Sequence, residues 1–465
     1  MRSYFGVHNH THYSNLRLVD CINRPDDLIN KAIELGLSGI AITDHECLSA
    51  HMEVNKIAKK LQETNPNFTI ALGNEIYLVD KIENGQKYFH FLLIAKNENG
   101  HRALRELSTL AWGNSYVDRR MERVPLLKDQ LARVISQYRG NVIATTACMG
   151  GELSTLALGM QTAEDNGDML LANTYYQKIY KFIDFCVNLF GKDFYIECAP
   201  SENKDQITVN KKLYKIAKAF DIPMVVGTDA HYLTKEDRFV HKAYLNSKDG
   251  DREVDDFYEF SRLMDSDEVI QLLSLCWEDE NIIHQILNNT EEIKNKISFY
   301  SLERKQIIPK VDVKNYYPCS AWEWDFYPTI KQLLASDNIQ ERYWINECIK
   351  KLIDMDLDGN EEYCRRLEIE ADIIKYIGEQ LDDCLFAYFN TFKHYIDLFW
   401  ECGSIVGPGR GSATGFLSNY LLGITQLDPI RWELPYWRFL NKERAELPSL
   451  LLILGSCKKR TLTVT

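Results

Sequence analysis

Val7-His8-Asn9-His10-Thr11, Ile42-Thr43-Asp44-His45 and Thr228-Asp229-Ala230-His231 decide how this chain reads. Side chains two apart on an extended strand point the same way, so His-x-His and Asp-x-His each present two metal-ligating groups on one face. One such pair is weak evidence. Several of them, each closing an apolar stretch with strand character, point to a polynuclear metal site at the mouth of a barrel-like α/β fold.

Working outward, Pro25 suits the first turn of a helix that carries Leu28, Ile29, Ala32 and Ile33 on one side and stops at Gly36. Ile40-Ala41-Ile42 then forms a buried strand that ends at Asp44-His45. A helix is expected near Met52 to Gln62, a strand from Thr69 to Leu72 leading to Gly73-Asn74-Glu75, and a strand from Phe89 to Ala95 beginning beside His90. Further strands are expected at Asn141 to Thr145, Phe194 to Cys198 and Pro223 to Gly227. Strands separated by helices imply parallel β-α units, and ligands at many strand ends imply a closed or nearly closed barrel.

At 465 residues, 45% hydrophobic and 26% charged, the chain has room for two or three domains with well-buried cores. A net charge of -13 excludes a general basic field of the kind that coats nucleic acid, while leaving room for a local basic site. Twelve cysteines without any C-x-x-C spacing, and no charged segment leading into an apolar one at the start, lead us to expect free thiols in a reducing cytoplasm. No apolar run approaches the roughly 18 residues that span a bilayer, so no membrane partner is expected.

The texture changes after Asn288-Asn289-Thr290. We expect a first domain over 1–290, a connector over 291–320, and a helix-rich region over 321–465. That last region contains Val406-Gly407-Pro408-Gly409-Arg410-Gly411-Ser412-Ala413. Glycines let backbone approach a phosphate closely, Ser412 and exposed N–H groups can bind its oxygens, and Arg410 adds fixed positive charge. Taken alone, such a loop is commonly a tight turn.

His8, His10, Asp20, His45, Glu75, His90, Cys148, Asp229 and His231 mix imidazole, carboxylate and thiolate, a set that suits Zn²⁺, Mn²⁺ or Fe²⁺. Metals a few ångströms apart can bridge and polarise a phosphate ester and acidify a bound water, so the expected reaction is phosphomonoester or phosphodiester hydrolysis. Any one of these histidines alone reads as a core or surface histidine, and Cys148 alone as a small buried apolar residue. The joint pattern favours the site. Five of the 11 histidines fall at strand ends, whereas His12, His51, His101, His241, His284 and His394 lack that context. Asp44 is expected to orient a histidine from behind the ligands.

The motifs H-N-H-T, A-I-T-D-H, G-N-E-I-Y, H-F-L-L-I-A-K-N, A-C-M-G-G-E-L and T-D-A-H-Y-L, in this order, resemble the polymerase and histidinol phosphatase (PHP) domain of bacterial DNA polymerase III alpha subunits. The resemblance implies a distorted (β/α)7-type barrel and a centre of two or three metals held by the nine residues above. It further implies phosphoesterase activity, with 3′-to-5′ exonuclease action as one form. Asp20 departs from the family pattern, because Leu18-Val19-Asp20 continues with Cys21 where the family has L-L-D-G.

Glu361 to Ile374, Tyr388-Phe389, Val406 to Gly415, Tyr420 to Thr425, Asp428-Pro429 and Arg438 to Arg444 resemble the start of the C-family polymerase palm. By that resemblance Gly409, Arg410, Gly411 and Ser412 become nucleotide-binding residues. The intact family uses Mg²⁺, DNA, deoxynucleotide triphosphates and other replisome subunits. The pattern is lost after Pro448, where the family carries P-D-x-D-x-D and this chain reads Ser449-Leu450-Leu451-Leu452-Ile453. Serine and aliphatic side chains cannot hold Mg²⁺ strongly, so polymerisation is not expected from this chain alone, which reads as a truncated fragment. Two alternatives stand beside this reading: a phosphatase for a small phosphomonoester, and a scaffold in which metals only rigidify the barrel.

Overall fold

The computed structural model describes residues 3–444 except 17–18, 84–85, 119–120, 248–255, 305–306, 314–315, 317 and 321–323. The Ser449 to Ile453 stretch and Leu18 lie outside the described residues. The chain forms two compact units, Met1–Arg304 and Lys305–Thr465.

Among the described residues seven strands make the path of the first unit's main sheet, β1 (Phe5–Gly6), β2 (Gly39–Ile42), β3 (Thr69–Val79), β4 (Phe89–Ala95), β5 (Val142–Thr145), β6 (Phe194–Cys198) and β7 (Met224–Val226), and an eighth, Pro125–Leu127, pairs with β3 off that path. The seven are neighbours in that order. A parallel bridge from Asn9 to Ala230 brings the two ends together, so the sheet is nearly a closed barrel. Helices Pro25–Glu34, His51–Thr64, Glu98–Gly113, Met169–Phe190 and Lys204–Phe220 fall between strands.

Strand periodicity decides what the barrel holds. Phe5, Ala41, Ala71, Leu92, Ile94, Ile143, Tyr195 and Val225 form one buried cluster, while their sequence neighbours Tyr4, Ile40, Leu72, Leu93, Ala144, Ile196 and Val226 belong to another. The first set is the inner plug and the second packs under the helices, as alternation on a pleated strand requires. Continuing each inner register by twos reaches His45, Glu75, Glu197 and Asp229, and reaching back along β4 gives His90. The plug is therefore roofed by ionisable groups.

Two expectations change. β4 is antiparallel to both β3 and β5 and follows β3 without a helix, because β3 runs on through Glu75 to Val79 and leaves a connection too short for a crossover. Its antiparallel sense is what puts His90, near its start, at the same mouth as the parallel strand ends. The boundary near 290 falls inside helix Glu280–Asn295. Thr290 Oγ1 accepts from Phe5 N at 3.0 Å, and Ile293 joins the inner plug, so the helix belongs to the barrel despite its charged outer face.

The second unit packs helices Pro328–Leu334, Ile339–Asp354, Glu361–Leu381 and Leu385–Glu401 around Trp344, Leu367, Ile374, Phe386 and Phe389. Glu370 is fully buried there. Its carboxylate accepts from Leu417 N at 2.7 Å, from Ser418 N and Oγ at 2.8 Å each, and from Arg366 Nε at 3.1 Å. Among the described residues no helix is long and apolar enough to cross a membrane.

Candidate metal centre

All nine sequence-derived ligand candidates converge on the barrel mouth. Glu75 sits at the middle: Oε1 lies 3.4 Å from His8 Nε2 and 3.0 Å from His90 Nδ1, and Oε2 lies 2.5 Å from His45 Nδ1 and 3.7 Å from His10 Nε2. Asp229 Oδ1 is 3.3 Å from His8 Nε2 and 3.1 Å from His10 Nε2. Asp20 Oδ2 spans His45 Nε2 at 3.0 Å and His231 Nε2 at 3.3 Å. Cys148 Sγ is 3.5 Å from His90 Nδ1. Three overlapping sets, His8-His10-Glu75, His10-His45-His231 and His45-Glu75-His90, have donor atoms close enough to share an ion.

The backs of three histidines are fixed by other groups. His8 Nδ1 donates to Glu197 Oε1 at 2.7 Å, His10 Nδ1 meets Ser14 Oγ at 3.2 Å, and His231 Nδ1 donates to the Asp229 carbonyl at 2.7 Å. Ser14 in turn donates to Asp44 at 2.7 Å, so its oxygen is left to accept from His10. With Nδ1–H committed outward, each Nε2 is the atom aimed into the centre, where it can give its lone pair to a metal once it carries no proton. Asp44 thus acts on His10 through Ser14, and it also ties down Thr11 N at 2.6 Å. It does not touch a ligand imidazole directly among the described contacts.

Burial and mutual charge set the protonation. Burial pushes the His8 imidazole down, but Glu197, Asp229 and Glu75 outweigh it and hold its pKa well above the ordinary histidine value. His45 is likewise raised to about 10, burial being overcome by Glu75 and Asp20. His10, buried beside His45 and His231, is lowered to about 3. Burial pushes Glu75 up, yet His90, His45 and His8 keep it well below the carboxylate range. Burial, with Asp229 and Glu75 nearby, raises the Cys148 thiol well above its usual value. Protons and divalent cations compete for the same donors in such a cluster.

The local backbone is bent to fit. Glu46, Ala147 and Asp229 adopt φ of 54°, 55° and 47°, left-handed geometry that costs a non-glycine residue roughly 1–2 kcal/mol. A side chain at Gly227 would have to displace Glu197, because a Cβ there would run into its carboxylate.

Sequence reasoning missed Glu197, Ser14 and Tyr258. Glu197 is 2% exposed and also accepts from Thr145 Oγ1. Its signal was a carboxylate inside the apolar strand Phe194-Tyr-Ile-Glu-Cys198. Tyr258 Oη donates to Asp20 Oδ1 at 2.8 Å, a long-range contact with no local signature. Of the loop residues in the second unit, Gly409 and Gly411 have φ of 124° and 69°, Arg410 is exposed, and Ser412 is the second residue of the short turn Gly411–Gly415.

Residues 7–201 match the PHP domain, and residues 332–451 match the bacterial DNA polymerase III alpha NTPase domain. Asp229 and His231 lie beyond the first match and join the site by folding. The DNA-directed DNA polymerase of Bacillus phage SPbeta is 38% identical over 469 residues, covering 96% of this chain and 36% of its own length. DNA polymerase III subunit alpha of Aquifex aeolicus is 27% identical, covering 97% of this chain and 36% of its own length. That of Borreliella burgdorferi is 26% identical, covering 96% and 35%. The chain spans about a third of the length of these relatives. Residues 7–201 are thus similar to PHP domains and residues 332–451 to the bacterial DNA polymerase III alpha NTPase domain, and 96% of the chain aligns with a DNA polymerase III alpha subunit.

Proposed function

We propose that the first unit is a metal-dependent phosphoesterase that removes nucleotides from a DNA 3′ end. The observation that carries this reading is the orientation of His8, His10 and His231, whose Nδ1 atoms are tied outward while Nε2 points at shared carboxylates. A donor set of imidazoles, carboxylates and a thiol fits two or three Zn²⁺, Mn²⁺ or Fe²⁺ ions. His8, His10, Asp20, His45, Glu75, His90, Cys148, Asp229 and His231 would hold them. Bound cations of this kind polarise a phosphate ester and lower the pKa of water.

The protein's own residues supply position. Glu197 fixes the His8 tautomer, Ser14 and Asp44 fix His10, and the inner plug beneath keeps water from the floor of the site. In the second unit Gly409, Arg410, Gly411 and Ser412 are proposed to cradle a nucleotide phosphate. In the longer relatives the setting would be cytoplasmic DNA replication with DNA, deoxynucleotide triphosphates, Mg²⁺ and other replisome subunits. Nucleotidyl transfer is not expected here, because Pro448 to Ile453 carries no carboxylate.

A substrate panel tests the proposal. Release of mononucleotides from a 3′-labelled oligonucleotide, abolished in His8→Ala with Asp229→Ala, is the expected result. Hydrolysis of small phosphomonoesters alone would favour a phosphatase. Metal binding with no hydrolysis of either would leave a structural centre.

A further inference from the structure

Asp20 is held differently from the ligand candidates on the strands. Glu75 and His90 lie in paired strands, where the register of Glu75 with Leu92 and of Tyr77 with His90 fixes them. Asp20 belongs to no strand or helix, so side chains set its place. Its N–H donates to Asn15 Oδ1 at 2.8 Å, and its carbonyl accepts from His241 Nε2 at 2.6 Å. Of its carboxylate, Oδ1 accepts from Tyr258 Oη at 2.8 Å, while Oδ2 faces His45 Nε2 at 3.0 Å and His231 Nε2 at 3.3 Å.

Two of these holders come from elements that follow the last barrel strand. His241 is on helix Asp237–Asn246, and Tyr258 is in the turn Asp256–Phe260. Both are braced in turn. Tyr232 Oη reaches the carbonyls of Tyr258 and Glu259 at 2.8 and 2.7 Å, and Arg238 Nε donates to Glu259 Oε2 at 3.2 Å. Arg238 Nη1 lies 3.3 Å from His241 Nδ1. A guanidinium only donates, so Nδ1 accepts, and the imidazole proton sits on Nε2, aimed at the Asp20 carbonyl. His241 is fully buried, and its ring lies 5.1 Å from that of Tyr232 and 5.3 Å from that of Tyr258. The spacing of the sequence gave His241 no metal-ligand context, and its contacts show it supporting a ligand candidate from behind.

The Tyr258 hydroxyl occupies Oδ1 and leaves Oδ2 as the oxygen presented to His45 and His231. Without that hydroxyl the carboxylate can turn about its Cβ–Cγ bond, whose rotation is soft, and Oδ2 is no longer fixed. Loss of an outer partner of this kind typically weakens metal binding tenfold to a hundredfold.

Resting on the metal-centre reading, we infer that Tyr258 and His241 are positioning residues for one metal position, the one Asp20 shares with His45 and His231. The positions built on Glu75, His8 and His90 do not depend on them. The centre then has two classes of ion, one set by the strands and one set by the helix and turn that hold Asp20.

Zn²⁺ titration of the chelator-stripped full chain in competition with a fluorescent chelator resolves the affinity of each successive ion. In Tyr258→Phe one ion should weaken by about tenfold to a hundredfold while the others keep their affinity. The metal-free melting temperature should fall by no more than about 2–4 °C, the effect of one lost hydrogen bond in a domain of this size. His241→Phe should weaken the same ion, and His241→Gln, which keeps an N–H donor for the Asp20 carbonyl, should restore most of its affinity. Equal weakening of every ion in Tyr258→Phe, or no weakening of any, would overturn the assignment and leave the metal centre standing. A wild type that binds less than one ion would remove the metal-centre reading and this assignment with it.

Discussion

The two units bury charge in opposite ways. In the second, Glu370 is a single buried carboxylate whose four acceptor positions are filled by Arg366 one turn away and by the donors of Leu417 and Ser418. In the first, carboxylates and imidazoles from distant strand ends face one another, and Glu75 alone approaches four histidines. One arrangement is complete within the protein, and on the proposed reading the other is completed by cations. That difference separates a structural buried charge from a functional one, and it can be probed in several ways.

The largest expected effect is from metal. If the centre binds cations only in the folded state, loading at a thousandfold excess over Kd stabilises the first unit by about 4 kcal/mol. Thermal unfolding with and without chelator should therefore move the first unit's transition and leave that of the second in place. Movement of both together would erase the contrast.

A smaller effect is expected from pH at a histidine pair outside the metal centre. His51 Nε2 donates to the Gly73 carbonyl at 2.9 Å, and its Nδ1 meets His101 Nε2 at 3.0 Å. Burial, with each other's or neighbouring charge, lowers them to about 3 and about 4. Histidines with depressed folded values favour the neutral form, so their contribution is intact above the unfolded value near 6.5 and is lost as pH falls below it. The first unit should lose about 1–3 kcal/mol between pH 6.5 and 5.5, read from denaturant midpoints. His51→Gln with His101→Gln should flatten that slope; an unchanged slope would exclude the pair as its source.

Glu370→Gln sharpens the other side of the comparison. Every contact to Glu370 comes from a donor, so an amide NH₂ would face a donor and leave buried groups unpaired. The second unit should lose about 1–3 kcal/mol by chemical denaturation, with no change in metal content. A neutral outcome would mean that Glu370 is already protonated, consistent with burial pushing its pKa up to about 7 against the backbone N–H groups of Ser418 and Leu417 and Arg366.

The smallest effect belongs to Gly227→Ala. The new methyl would displace Glu197 and loosen His8, weakening metal affinity by roughly tenfold, with modest change in melting temperature. Competition with a fluorescent chelator measures it, and unchanged affinity would show that Glu197 does not position His8.

Much of the barrel and its ligand candidates was legible because alternation in short strands is a local signal. His45, His90 and Asp229 each lie within a few residues of a strand whose inner register they share. Other features were hidden for physical reasons. The sense of β4 depends on how long β3 runs, which a continuous apolar and polar mixture from Thr69 to Val79 does not reveal. The helix through Thr290 reads as a charged connector because only one of its faces packs. Glu197, Ser14 and Tyr258 act through contacts across 189, 4 and 238 positions, and the long-range ones leave no trace in spacing. The placement of Asp20 after residues 17–18 is fixed by His45, His231 and Tyr258 rather than by its local motif.

The central claim is that the barrel mouth is a polynuclear metal centre. Elemental analysis of the metal-loaded, desalted chain, beside Glu75→Ala and His8→Ala with Asp229→Ala, tests it most directly. The account predicts two or three transition-metal ions per chain in the wild type and fewer than one in the variants. Less than one ion in the wild type, or equal content in wild type and variants, would contradict it.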